Sequence, residues 1–528
     1  MNSIDKLKMD LVTGRISRRV FLQGATALGI SAAAVPGLAR QAYAQTPKKG
    51  GTLRLGIGHG STTDSLDPAT IENLYMQVVG NAIYNNLTVV DNAGQLQPEI
   101  AESWEPSPDA KEWRFQIREG LEFHNGKTVE AADVVASFNH HRGEESKSAA
   151  KPIVDPIVDI QADGNNAVVF TLESGNADFP FIASDYHLAI LPSEDGAIDP
   201  TAGIGSGSYK LDGFEAGVRT VVSRNPNYYR DDVAHFDGAE LLSIVDATAR
   251  TNALTTGEID AMDRVDIKTA HLLGRNPGIN LVETSGTAHY TFAMRCDTPP
   301  FDNRDVRLAL KYALNREELL ETILRGHGVI GNDHPIGRSN RFHADDLEQR
   351  SYDPDKAKYH LKQAGMENLK VDLSAADAAF AGAVDAAVLY KEHAAPAGID
   401  INVVREPNDG YWSNVWMQKP WCAVYWGGRP TEDWMFSTAY ANGAPWNDSF
   451  WNNERFNELL IQARAELDEA KRREMYVEMQ TLVRDDGGVV VPLFNNYVMA
   501  LSTKLAHEEL GANWSLDGFR AVERWWFA

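Results

Sequence analysis

The sequence predicts an α/β protein, and three observations carry that reading. Short runs that alternate apolar and polar residues recur early in the chain, helical periodicity dominates later, and the two kinds of segment are interspersed without long repeats or low-complexity tracts. At 528 residues the chain exceeds one ordinary core, so two or three domains are expected.

The elements follow in order. "KKGGTLRLGIG" alternates Leu53, Leu55 and Ile57 as a half-buried strand does, and "EWRFQIREG" (Trp113, Phe115, Ile117) and "NAVVFTLES" (Val168, Phe170, Leu172) repeat the pattern between Gly, Pro and Asp turns. Thr128 is placed to cap a helix over "VEAADVVASF". "DNRDVRLALKYALNREELLETIL" sets Val306, Leu310, Ala313 and Leu314 on one face and restarts at Asn315, with Glu318 three positions on as in a capping box. "NERFNELLIQARAELDEAKRREMYVEMQTLV" has Phe456, Leu459, Leu460 and Ala463, then Met475, Met479 and Leu482, at helical spacing.

Hydrophobic residues make up 43% of the chain and charged residues 23%, as in a soluble globular protein. The formal charge is −24; residues 1–44 carry six Lys or Arg against two Asp, which leaves −28 on the remainder. A surface that acidic repels phosphate backbones and anionic lipid heads, which argues against nucleic-acid and membrane-surface partners.

The N-terminus reads as a targeting segment. Arg18 and Arg19 precede the weakly apolar, Gly- and Ala-rich run "FLQGATALGISAAAVPGLA", followed by Arg40 and the small-residue site Ala42-Tyr43-Ala44. The pattern resembles a twin-arginine export signal cleaved after Ala44, with release into a bacterial periplasm; the run is too weakly apolar for an anchor. Cys296 and Cys422, the two cysteines, pair in an oxidising compartment or remain buried thiols.

Enzyme signatures fail one by one. "GIGHGS" has Ser61 where a dinucleotide fingerprint needs its third glycine, and "GIGSGSYK" lacks the spacing of a nucleophile elbow. No H-E-x-x-H, C-x-x-C or P-loop occurs, and the adjacent His140 and His141 point in different directions on a helix, which suits a solvated pair better than a metal site. Neither a catalytic step, a metal nor a cofactor is called for.

One stretch is more specific. "AESWEPSPDAKEWRFQIREGLEFHNGKTVEAADVVASF" (101–138) resembles the signature of the family 5 solute-binding proteins of ABC importers, the group that includes dipeptide, oligopeptide and nickel binders. "GGTLRLGIG", "GIGSGSYKLDGF" (203–214), "PPFDNRDVRLALKYALNRE" (299–317) and "YDPDKAKYHLKQAG" (352–365) support the resemblance in the family's order. It implies a two-lobed periplasmic binding protein fold of type II with a subdomain inserted in the first lobe. The implied division is 1–44 signal, 45–88, 205–286 and 505–528 first lobe, 89–204 insertion, and 287–504 second lobe. It further implies a monomer that closes on a small organic solute, a peptide or an amino-acid-derived compound, and hands it to the permease of an importer. A glycoside ligand, a signalling receptor or an exported hydrolase are the competing readings.

The resemblance breaks at the expected ligand anchor. Peptide binders carry a stretch like W-C-A-D-Y-x-x-P whose aspartate pairs with the ligand's ammonium group; here Val424 or Trp426 stands at that position, and Glu432 and Asp433 follow Pro430. Seven of the twelve tryptophans lie between Trp412 and Trp451. Trp416, Trp421 and Trp451 read as core, whereas Trp426, Trp434 and Trp446 sit among Gly427, Gly428, Pro430, Gly443 and Pro445 and are candidates for a ligand wall, flanked by Tyr411 and Trp412. Arg295 and Arg429 are candidates for a carboxylate, with an ion pair from Arg295 to Asp297 or Asp302 as the structural alternative. Ser61 and Thr62, after the first strand, are the expected contacts from the other lobe.

Overall fold

The computed structural model describes residues 47–528, so the export signal and its cleavage site lie outside the described residues. One large mixed sheet runs through the molecule. Its strands in spatial order are Tyr209–Glu215, Arg219–Arg224, Gly238–Ser243, Thr52–Ile57, Ala261–Met262, Val489–Ser502, Ile279–Met294, Trp421–Trp426, Leu369–Ala375 and Ile399–Arg405. The first five pack on one hydrophobic core and the last three on another. Leu53, Leu55 and Ile57, alternating in the sequence, are fully buried.

The two long strands between these groups carry the connection. Ile279 pairs with Ser502 and the ladder holds to Ser285 opposite Asn496; it then shifts, and resumes at His289 opposite Phe494. The irregularity spans Gly286, Thr287 and Ala288. A bulge of this kind bends the strand and increases its twist. A Cβ at position 286 would overlap the Tyr497 ring, so glycine is required there.

Separate cores flank the bend. Phe292, Met294, Leu310, Leu373, Tyr390, Trp421 and Val491 belong to the second lobe's core. Leu55, Tyr75, Leu241, Met499, Leu501 and Trp525 belong to the first lobe's. A third core, with Trp113, Phe115, Phe138 and Phe170, fills the inserted subdomain, whose four-stranded sheet has the order Ala101–Pro106, Glu112–Ile117, Ala167–Leu172, Ile157–Ala162.

Helix starts follow the sequence in most places. Asn315 accepts from the Glu318 amide, and the long periodic run divides into Glu454–Ala465 and Glu469–Asp486, capped by Asn453 and Asp468. Thr128 does not cap its helix. That helix begins at Ala131, with Glu130 and Asp133 forming the reciprocal cap, while Thr128 bridges to Glu122. The histidine pair is not solvated either: His141 is buried with Nδ1 2.7 Å from Ser148 Oγ, and His140 Nε2 lies 2.8 Å from Asp67. Cys296 and Cys422 are free thiols.

Candidate functional site

The strand Trp421–Trp426 lies beside the bent strand, with Trp426 opposite His289, so its C-terminal end arrives at the bend. Gly427 and Gly428 follow. A Cβ on Gly428 would overlap the Thr287 side chain, so glycine lets this segment pass against the bend itself. Asn340 Nδ2 donates to the Arg429 carbonyl at 3.3 Å and fixes the next residue. Thr431 then caps the helix Glu432–Ala439, and Glu432 and Asp433 occupy its first turn, where acids complement the helix dipole.

A hollow of about 450 Å³ opens at this strand end. Its walls are Trp412, Trp416, Tyr425 and Trp446, its back is Val424 and Trp426, and Gly427 and Arg429 form its rim. Trp412 meets Trp416 at 5.9 Å and 79° and Tyr425 at 5.5 Å and 77°; Trp446 meets Trp416 at 6.4 Å and 67°. Trp412, Tyr425 and Trp446 are 40%, 51% and 48% exposed, an unusual concentration of open aromatic surface. Behind them Asp448, buried, accepts from Trp416 Nε1 at 3.1 Å and from the Trp426 side chain. Burial pushes its carboxyl up to about 6 against the pull of those two donors.

Arg429 Nη1 donates to the carbonyls of Gly427 and Gly428 at 3.1 and 3.2 Å. Burial holds its pKa below the ordinary arginine value, partly offset by Tyr186 and Asp185. Among the described residues no carboxylate forms an ion pair with it. The other arginines between 287 and 504 that are not exposed are paired: Arg295 with Asp297, Arg307 with Asp486, Arg316 and Arg350 with Asp333, Arg341 and Arg472 with Asp178, Arg464 with Asp433, Arg473 with Asp345, Arg484 with Asp485.

The remaining predicted residues lie elsewhere. Asp433 takes both oxygens to Arg464 Nε at 3.0 and 3.2 Å, and Glu432 accepts the Phe342 amide at 2.6 Å. Arg295 pairs with Asp297 at 2.8 Å and lies over the Phe450 ring. Tyr411 is buried and donates to the Ala423 carbonyl at 2.8 Å, supporting Trp412 from behind. Trp434 lines a narrow crevice with Tyr186 and Trp514. Ser61 and Thr62 do not line the aromatic hollow; the Ser61 amide donates to Asp64 at 2.8 Å. Trp416, read as core, and Tyr425, which carried no expectation, are walls. A larger cleft of about 1080 Å³ elsewhere has charged walls that include the pairs Arg520–Glu523 and Arg230–Asp232.

Residues 95–448 match the family model for bacterial extracellular solute-binding proteins, family 5 Middle. The chain is a family 5 extracellular solute-binding protein. This family 5 protein is 24% identical over 505 residues to the glutathione-binding protein GsiB of Escherichia coli K12, covering 93% of this chain and 96% of that one. Two solved structures share its fold. The periplasmic binding protein DppA of Helicobacter pylori, in complex with the peptide STSA, superposes with a TM-score of 0.71 at 21% identity, over 90% of this chain and 98% of its own. AgaA of A. tumefaciens R10, in complex with agropinic acid, gives 0.71 at 23% identity, over 90% and 99%. The two-lobed type II architecture follows from these superpositions. No described helix is long and apolar enough to cross a membrane, and no cluster of metal-ligating side chains occurs among the described residues.

Proposed function

We propose that this family 5 protein is exported to the periplasm and captures a peptide or amino-acid-derived solute, as a monomer, for the permease of an ABC importer. The solute sits at the end of the Trp421–Trp426 strand, against Trp412, Trp426, Gly427, Arg429 and Trp446, and the first lobe closes over it with the Ser61–Thr62 loop. The observation that carries the reading is the half-open aromatic hollow placed at the bend between the lobes. A solute there contacts the second lobe in either state and gains the first lobe's contacts only on closure, so it favours the closed form by that difference. The lobe boundaries near 88, 204, 286 and 504 belong to the same proposal; the separate cores support the division near 286, whereas Ala189, Leu191, Met499 and Leu501 pack in the first lobe's core and move the boundaries at 204 and 504 toward the N-terminus. Binding and release complete the cycle without a chemical step.

The named relatives are described as binding glutathione, a peptide and agropinic acid, all amino-acid-derived compounds. Native mass spectrometry of the exported protein, followed by release and identification of the bound molecule, tests the reading. A co-purified amino-acid-derived solute, with a smaller radius of gyration by X-ray scattering in its presence, is the expected result. Turnover of the released compound by the purified protein overturns it.

A further inference from the structure

The hollow has three properties that together select a ligand. First, its walls meet at steep angles, between 67° and 79° for the Trp412–Trp416, Trp412–Tyr425 and Trp416–Trp446 pairs. A flat ring needs parallel walls to be sandwiched; walls near right angles enclose a compact, convex group. Second, the enclosing surfaces are electron-rich ring faces, with the Asp448 carboxylate behind Trp416 and Trp426 and no cation acting on it. Indole faces attract cations more strongly than other aromatic rings do. The Asp448 oxygens are taken by the indole donors, so a primary ammonium entering the box finds few acceptors for its three N–H groups. A quaternary ammonium has none to satisfy. Third, the rim holds Arg429, whose Nη1 is engaged with its own loop while no carboxylate pairs with the guanidinium among the described residues. A partly buried guanidinium in that position calls for an anion.

We infer that the solute is a betaine-class compound, a quaternary ammonium seated in the Trp412–Trp416–Tyr425–Trp446 box with its carboxylate on Arg429. The inference rests on the proposed solute site and narrows the amino-acid-derived class to compounds whose nitrogen is fully alkylated. It also accounts for the apolar Val424 at the back of the hollow, where a hydrogen-bonded ammonium would require an acid.

The test is calorimetric titration of the exported, ligand-stripped protein with trimethylglycine, its longer homologue γ-butyrobetaine, and two controls. In 3,3-dimethylbutyrate a carbon replaces the nitrogen, which removes the positive charge and keeps the shape. Choline keeps the ammonium and lacks the carboxylate. At least one betaine binds, and each control binds at least tenfold more weakly. Trp446→Leu, at a position already half exposed, weakens the betaine at least fivefold with an unchanged thermal midpoint. If 3,3-dimethylbutyrate binds as tightly as the betaine, the box reads shape and the inference falls. Choline binding equally well removes Arg429 from the assignment and overturns it too. If no betaine binds while a co-purified peptide or other solute does, this inference fails and the receptor reading stands. Failure of the whole panel, with no co-purified solute and no closure, overturns both.

Discussion

Replacing Asp333 by asparagine is expected to unfold the second lobe selectively. Asp333 is fully buried, and both its oxygens receive Arg316 Nη2, at 2.7 and 2.8 Å, while Arg350 Nε lies 2.9 Å away. It also accepts the Val491 amide at 3.1 Å, which ties this cluster to the long strand that runs into the first lobe. Burial alone would raise its carboxyl, but Arg316, Arg350 and Lys311 together hold it below the ordinary 3.8. An asparagine turns an NH₂ group toward those donors and leaves Arg316 buried without a counter-charge and Arg350 with Asp485 alone. Breaking a buried pair in this way costs about 3–5 kcal/mol. With a urea m-value of about 2–3 kcal/mol/M, that lowers the second-lobe midpoint by about 1–2.5 M. Tryptophan fluorescence is the right probe, because seven of the twelve tryptophans lie between Trp412 and Trp451. The sign with pH is fixed as well: because the folded carboxyl titrates below 3.8, its stabilisation is fully present above that pH and is lost as pH falls through the folded value. A wild-type fluorescence midpoint in Asp333→Asn, or an identical acid-unfolding limb, would refute the reasoning.

Asp448 behaves in the opposite sense. Its folded carboxyl is raised from 3.8 to about 6, facing only the Trp416 and Trp426 donors, Tyr440 and Cys422, so stability from this group falls as pH rises between those values. The cost once ionised is about 3 kcal/mol; Asp448→Asn removes that pH dependence, and matching urea profiles for the two proteins from pH 4 to 7 would count against it. Gly428→Ala forces a Cβ into Thr287 and is expected to cost about 1–3 kcal/mol and at least tenfold in solute affinity, read by urea unfolding and by calorimetry with the co-purified solute. Arg18→Lys with Arg19→Lys is expected to abolish export, so undiminished protein in the periplasmic fraction would exclude the twin-arginine route.

Elements with local causes were legible in the sequence. The alternation of Leu53, Leu55 and Ile57 and the asparagine at 315 act within a few residues, and both appear where expected. The site was legible in part, for a physical reason. Glu432 and Asp433 looked available because their partners, Phe342 and Arg464, are 90 and 31 residues away in the chain. Arg429 and Arg295 were indistinguishable as residue types, and only the presence of Asp297 beside one and the lack of a carboxylate beside the other separates them. Trp416 read as core because tryptophan at an unremarkable position gives no sign of which ring face is left open; Tyr425 shows such a signal only in hindsight, as the residue next to a strand end where glycines follow.

The way the cores draw on the chain has a consequence for the order of assembly. Everything from Phe292 to Phe494 in the second core can collapse as soon as that stretch exists. The first core is completed last: the part from Leu53 to Ala261 is made early, but Leu501, Val522 and Trp525 join it from the other end of the polypeptide. The pairing of Thr52–Ile57 with Gly238–Ser243 does not wait for that end, but closing the longer loop costs about 5 kcal/mol of chain entropy, which the C-terminal contacts must repay. During synthesis the aromatic hollow is therefore built before the first lobe is finished, and the newborn protein presents its half-site to an incomplete partner lobe.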